Sequence, residues 1–195
     1  MGWVRPSVWK LNPDGTPDTA FNGGSGFYEF DYGGTVWDIH EHADGGLTVS
    51  GYTGWFNGAP QNTNGKITIS KLTADGTPDT TFSNDGTAVF DLAGTDDDAL
   101  AHHVLGDGNI LIVGESRQGE KDDTFILKTS STGELDLSFG SGNGSVIYDF
   151  SPEEDEAALS VNVDAEGRIY ILGWAISNVS ESEYYYLARF LSDGT

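Results

Sequence analysis

Apolar residues fall along this chain in short runs that alternate with polar ones, and each run stops at a glycine, a proline or an Asp-Gly pair. In the best-formed stretch, Ala99–Leu105, Asn109–Ser116, Thr124–Ser130 and Ser145–Phe150 read as four strands, A to D. Asp44-Gly45, Asp107-Gly108 and Glu166-Gly167 stand between A and B. That is turn chemistry between antiparallel neighbours, because glycine accepts positive φ without steric cost. No helical periodicity competes with this pattern.

The pattern also repeats. KLNPDGTPDTAF at Lys10–Phe21 returns as KLTADGTPDTTF at Lys71–Phe82, as KTSSTGELDLSF at Lys128–Phe139, and begins again as RFLSDGT at Arg189. The steps are 61, 57 and 61 residues. A second motif keeps the same beat: ADGGLTVSG ending at Gly51, GDGNILIVG at Gly114 and AEGRIYILG at Gly173. Four antiparallel strands every sixty residues or so predict an all-β fold of β-propeller blades, about three repeats in a single array spanning residues 1–195. Strands C and D occupy 1–34, full blades run over about 35–92 and 93–150, and a partial blade covers 151–195. Thr195 falls where Thr16 and Thr77 sit in their copies, inside a motif. The expectation is therefore an incomplete ring or part of a larger propeller, with an open sheet edge that invites further blades or a homo-oligomer.

The combination of Lys/Arg, Leu, Asp-Gly, then Asp-x-Ser/Thr/Ala-Phe, with an acidic alanine-rich strand and Gly-x-Ile-x-Val-x-Gly, resembles the bacterial delta-60 repeat family. The resemblance covers nearly the whole chain. It implies β-propellers in large, mostly exported bacterial proteins, hence a secreted or cell-surface location, and it brings no agreed activity. Departures are modest: Thr132-Gly133 replaces Asp-Gly in the third copy, and Trp37 and Ile39 stand where alanines are usual.

Charge narrows the choice of partners. With 31 acidic against 9 basic residues and a net charge of −22, the field repels phosphate backbones and anionic lipid, so neither nucleic acid nor membrane insertion is expected. Cations or basic partners fit better. At 37% apolar and 12% aromatic the chain is too rich in core-forming residues for disorder. The absence of cysteine rules out disulfides, thiolate metal sites and cysteine nucleophiles.

Because antiparallel strands alternate direction, the A–B and C–D connections share one rim of the array, and the B–C and D–A connections share the other. The near-identical Asp-Gly phrases lie on the first. The B–C segments diverge: Tyr52–Gly65 holds Trp55 and Phe56, Arg117–Asp123 is charged, and Trp174–Glu183 is polar after its tryptophan. The D–A segments carry Asp96-Asp97-Asp98 and Glu153-Glu154-Asp155-Glu156. Variable loops on a fixed scaffold are where binding evolves. The ligand-binding candidates are thus Trp55, Phe56, Trp174, Asp96, Asp97, Asp98, Glu153 and Glu154. Loop carboxylates are hard-oxygen ligands of the kind Ca2+ takes, which nominates Asp96 and Asp98, and Asp14, Asp18, Asp75 and Asp79 of the repeated phrase. Neither acidic run, 96–98 or 153–156, has the spacing of a calcium loop; the repeated phrase Asn12-x-Asp14-Gly15-x-x-Asp18 is similar to a cation loop, but Thr132 in the place of Asp75 points to turn-making instead. His40, His42 and His103 fall in register on strand A, with Asn162 in the third copy, too few imidazoles in pattern for zinc. No serine elbow, phosphate loop or zinc-protease helix occurs, so no catalytic residue is nominated. The sequence thus predicts a non-catalytic scaffold of a bacterial surface or secreted protein that mediates binding or assembly with a protein or glycan partner. The alternative is a carbohydrate-binding lectin or carbohydrate-active module using the acidic, tryptophan-bearing rim.

Overall fold

The computed structural model describes residues 5–54, 65–92, 94–177, 180 and 182–195. Thirteen strands form four antiparallel sheets among these residues, with no α-helix. β1 (Ser7–Trp9) pairs with β2 (Phe27–Glu29). The first full sheet contains β3 (Gly34–Glu41), β4 (Leu47–Thr53), β5 (Lys66–Leu72) and β6 (Thr87–Phe90) in that order. The second repeats it with β7 (Asp97–Val104), β8 (Ile110–Gln118), β9 (Lys121–Thr129) and β10 (Ser145–Tyr148). The third holds β11 (Glu154–Val163), β12 (Ile169–Ser177) and β13 (Glu183–Phe190). Each sheet is a sequential meander, as expected of propeller blades, and among the described residues the sheets do not close into a ring.

The sheets stack, which explains why β8 reads Ile-Leu-Ile-Val rather than alternating with polar residues. Ile110 and Ile112 face the first sheet and pack with Ile67, Ile69, Phe82, Phe125 and Leu127. Leu111 and Val113 face the third and pack with Ile126, Phe139, Ile169 and Ile171. A strand buried on both faces needs apolar residues on both. The innermost strands supply small side chains at the contacts, Ala99 of β7 toward the first sheet, and Ala101 of β7 with Ala158 of β11 between the second and third. These let β7 lie against β3, β4 and β5, and β11 against β7, β8 and β9.

The repeated Gly51, Gly114 and Gly173 answer to a bulge on the neighbouring inner strand, at Val36/Asp38, Ala99/Ala101 and Ala158/Ser160. There the backbones approach so closely that a Cβ would lie 2.0, 1.8 and 2.4 Å from the carbonyl oxygens of Thr35, Asp98 and Ala157. Only glycine fits opposite such a bulge.

Candidate functional site

The Asp-Gly rim is a set of structural latches. Phe21, Phe82 and Phe139, each almost fully buried, reach forward to the Gly of the next copy. An added Cβ on Gly76, Gly133 or Gly194 would meet the ring of Phe21, Phe82 or Phe139 at 2.5, 3.0 and 2.6 Å. Beside each ring a backbone N–H crosses to the same turn: Asn22 donates to the Asp75 carbonyl at 2.6 Å, Ser83 to Thr132 at 2.9 Å and Gly140 to Asp193 at 3.0 Å. The motif therefore recurs because each copy is half of a joint with its neighbour.

The aspartates of this rim close the turns. The Asp14 carboxylate accepts from the Thr16 N–H and hydroxyl at 3.0 and 2.7 Å, and Asp75 accepts from the corresponding groups of Thr77 at 3.2 and 2.8 Å. Asp18 accepts from the Ala20 N–H, and Asp79 from Thr81. The bond from Thr16 holds the Asp14 carboxyl below its usual range, Thr73 and Thr77 do so for Asp75, and Thr81 for Asp79. Ser138, with Lys128 2.9 Å away, pulls Asp136 down to about 2. Among the described residues no three histidine or carboxylate side chains converge as a metal site. The calcium candidates Asp14, Asp18, Asp75 and Asp79 thus serve as turn acceptors.

The opposite rim differs from its sequence reading. Arg117–Asp123 is not a loop: β8 and β9 remain paired to Gln118↔Lys121, leaving Gly119 and Glu120 as the turn. Asp97 and Asp98 lie within β7, Glu154 opens β11, and Trp174 lies inside β12. Trp55 and Phe56 fall outside the described residues. Asp97 is buried, its carboxylate accepting from the Ser116 hydroxyl at 2.5 Å and the Leu92 N–H at 2.7 Å. Glu156 repeats the role in the third sheet by accepting from the Phe150 N–H at 3.0 Å. Trp174, opposite Ala157 and Tyr185, stands on the outward face of the third sheet. Glu153 is exposed, and Glu154 accepts from the Tyr184 hydroxyl.

Five carboxylates on this rim act on one another electrostatically, and one of them, Asp122, pairs with the one guanidinium, that of Arg117. Asp98 and Glu115 are cross-strand partners, and the Asp98 carboxylate takes the Trp37 indole N–H of the first sheet at 2.9 and 3.1 Å. Arg117 pairs with Asp122 at 2.8 Å, its N–H meets the Asp96 carbonyl at 2.7 Å, and the Asp122 N–H donates to Asp155 at 3.0 Å. Burial, with repulsion from Asp96, pushes Asp98 up to about 7, and burial beside Asp122 and Asp98 does the same to Glu115. Burial also raises Asp97, Asp122, Asp123 and Glu156. Asp96 and Asp98 are thus brought together with Glu115, Asp122 and Asp155.

A further group sits deeper, where Ser50, His102 and Asp38 superficially resemble a nucleophilic triad. Its geometry is wrong for one: the Ser50 hydroxyl and the Asp38 carboxylate both meet Nδ1 of His102, at 2.8 and 3.4 Å, while the buried Nε2 has no partner among the described residues. A triad base needs its serine on one ring nitrogen and its carboxylate on the other. Burial drives the His102 imidazole down to about 4, so it is neutral at physiological pH, and Ser50 is fully enclosed. The trio ties the first sheet to the second.

Sequence reading passed over Glu115, Trp37 and His102. The signal was the position after the repeated glycine, Tyr52, Glu115 and Trp174 in the three copies: a fixed register with unrelated side chains.

Three segments, residues 2–21, 42–82 and 105–139, match the model of a domain of unknown function, DUF5122, described as a beta-propeller. The chain belongs to this family, the delta-60 repeats. Each matched segment of the delta-60 repeat ends on a latch phenylalanine, Phe21, Phe82 or Phe139, so the family pattern stops where the joint to the next blade is made. No curated protein matched the chain.

Proposed function

We propose that this delta-60 propeller segment is a non-catalytic scaffold that binds a basic segment of a partner protein with its B–C and D–A rim, in the secreted or cell-surface setting the resemblance implies. The observation that carries this reading is the unrepeated set of Asp96, Asp98, Glu115, Asp122 and Asp155, which act on one another electrostatically and have one ion pair among them, Asp122 with Arg117, on a rim whose opposite number is occupied by latches. Carboxylates outnumbering their one cation are held at a cost that an incoming lysine or arginine relieves. The aromatic residues of the carbohydrate reading give less support, because Trp174 stands on a sheet face and pairs with Tyr185 rather than with an acid.

The test compares two variants of equal charge change in titrations with a short oligolysine peptide at pH 8. Asp96→Asn with Asp155→Asn alters the cluster while keeping oxygens for Gly65 and Asp122 to donate to. Asp14→Asn with Asp193→Asn alters the latch rim. Loss of binding confined to the first pair supports the reading. Equal weakening by both shows that the peptide responds to net charge alone and refutes it.

A further inference from the structure

The inner strands β3 and β7 bring histidines together at the junction of the two sheets that have all four strands. His40 lies near the end of β3 and His42 just beyond it, so strand alternation puts both on one face. Their ring centres are 5.0 Å apart, with the rings at 80° to each other. His102 comes from β7, its ring centre 6.5 Å from that of His40.

The spacing of the first pair is the one a shared metal ion imposes. An ion bound at about 2.0–2.1 Å by one nitrogen of each of two imidazoles holds the ring centres about 4.5–5.2 Å apart, from a right-angled to a tetrahedral arrangement. His40 and His42 fall inside that range, and His102 lies beyond it. His40 is exposed and makes no hydrogen bond among the described residues. Nε2 of His42 is 2.7 Å from the buried Thr48 hydroxyl. A proton donated there fixes the tautomer that leaves Nδ1 with the lone pair a metal takes, as oxygen partners do for metal-binding histidines in general. His42 also lines a cleft of about 210 Å3 together with Asp44 and Asp79, room for several waters at about 30 Å3 each. Lys71 borders the same cleft, but its Nζ lies 3.4 Å from the Ser131 carbonyl and 5.3 Å from the centre of the Phe82 ring.

We propose that His40 and His42 form a two-imidazole chelate for a late first-row divalent cation, Cu2+ above the others. No third histidine or carboxylate converges on the pair among the described residues, so water completes the coordination. Imidazole suits Zn2+, Ni2+ and Cu2+, a tetragonal set of nitrogens and oxygens suits Cu2+ best, and the general order of affinities also puts Cu2+ first. Ca2+ and Mg2+ take oxygen ligands and are not held by such a pair. The repeat does not explain these residues. The corresponding positions are His103 and Leu105 in the second sheet, and Asn162 and Asp164 in the third, so no turn or latch requires two imidazoles here. The net charge of −22 adds a field that draws cations to the protein.

Calorimetric titration of the metal-free 195-residue chain with Cu2+ at neutral pH, in a buffer that does not bind copper, should show one site. Electron paramagnetic resonance of the equimolar sample should show coupling to two imidazole nitrogens. His40→Gln and His42→Gln should each weaken the site about tenfold or more, while His103→Gln and the paired Asp96→Asn, Asp155→Asn variant leave it unchanged. Mn2+ should bind far more weakly than Cu2+. His40→Gln breaks no hydrogen bond of the described residues, so it decides the matter even where His42→Gln disturbs the turn, and circular dichroism of the metal-free variants checks that both fold. Unchanged Cu2+ affinity in His40→Gln, an equal loss in His103→Gln, or a spectrum without imidazole coupling overturns the proposal. The rim-binding reading stands or falls separately, since its variants leave both histidines in place.

Discussion

Asp98→Asn combined with Glu115→Gln should make the protein more stable at pH 8 and leave it nearly unchanged at pH 4. Both carboxyls titrate at about 7 in the folded protein, chiefly because burial disfavours their charged forms. In the unfolded chain they return to about 4. Between those values the folded state holds more protons than the unfolded one, so stability falls as pH rises through about 4 to 7, and the deficit is complete above 7. Each pH unit corresponds to about 1.4 kcal/mol, which for the rise at Asp98 from 3.8 to about 7 sets a ceiling of about 4 kcal/mol. The two groups are partly solvated and Asp98 contributes to the rise at Glu115, so their ceilings do not add. A joint gain of about 1–2 kcal/mol is expected, or about 3–6 °C in Tm for a chain of this size. The amide that replaces the Asp98 carboxylate keeps an oxygen for the Trp37 indole, so the substitution removes charge without orphaning the donor. Urea unfolding of both proteins at pH 4, 6 and 8 measures the difference directly. A gain as large at pH 4 as at pH 8 would place the effect in packing, and a loss of stability at pH 8 would refute the claim that the charges are held at a cost.

Three further outcomes follow from the latches and the buried polar trio. Gly15→Ala and Gly76→Ala place alanine at nearly the same left-handed φ, +84° and +81°, but only the Gly76 Cβ meets a ring, that of Phe21, with nothing within 4 Å of Gly15. Both should lose about 1 kcal/mol in urea unfolding from the backbone alone, and Gly76→Ala a further 1–3 kcal/mol or so; equal losses would show that the joint contributes nothing. Ser50→Ala strips the hydroxyl from Nδ1 of buried His102 and should cost about 1–3 kcal/mol at neutral pH, with a neutral result showing that Asp38 alone satisfies the ring. Asp136, depressed to about 2 by Ser138 and Lys128, contributes stability that is present above its unfolded value and lost as pH falls through about 2. Asp136→Asn should therefore destabilise at pH 7 and have no effect at pH 2, by circular dichroism melts.

The fold was legible because the repeat shows itself twice in every period, and because Asp-Gly pairs and apolar alternation give strand direction without reference to distant residues. Strand length was less legible where side chains are charged. Arg117–Asp123 reads as a loop by polarity, yet the ladder runs on through Arg117↔Asp122 and Gln118↔Lys121, because the backbone supplies the bonds and Arg117 finds its counter-ion across the hairpin. Asp97 reads as a solvated loop acid, but Leu92 and Ser116 satisfy it in the interior. Phe82 and Gly133 are each visible as repeated residues, while the fact that they meet is not, since the contact joins one copy to the next. The acidic cluster was half visible: Asp96 and Asp98 stood out as a run, whereas Glu115 is brought in by the β7–β8 register and Trp37 by the stacking of the first sheet on the second.

The pKa directions divide the molecule in a way that composition alone conceals. Asp14, Asp75, Asp79, Asp136 and Asp193 are lowered by the hydroxyls and N–H groups of their own turns, and Asp164, despite some desolvation, by Arg168. All six lie on the A–B and C–D rim. Asp97, Asp98, Glu115, Asp122, Asp123 and Glu156 are raised, first by burial, and all six lie on the B–C and D–A rim. One residue type thus stabilises one rim as an anion and strains the other. Asp123 and Glu156 each leave a buried carboxylate oxygen without a hydrogen-bond partner among the described residues, so the second rim is under-satisfied as well as crowded. Carboxylates placed only for solubility would sit in water with ordinary affinities for protons, and a fold selected only for stability would not gather six in the interior of one rim. The latches hold the sheets in fixed relation, and that rigidity is what allows the opposite rim to keep carboxyls whose charged forms are disfavoured.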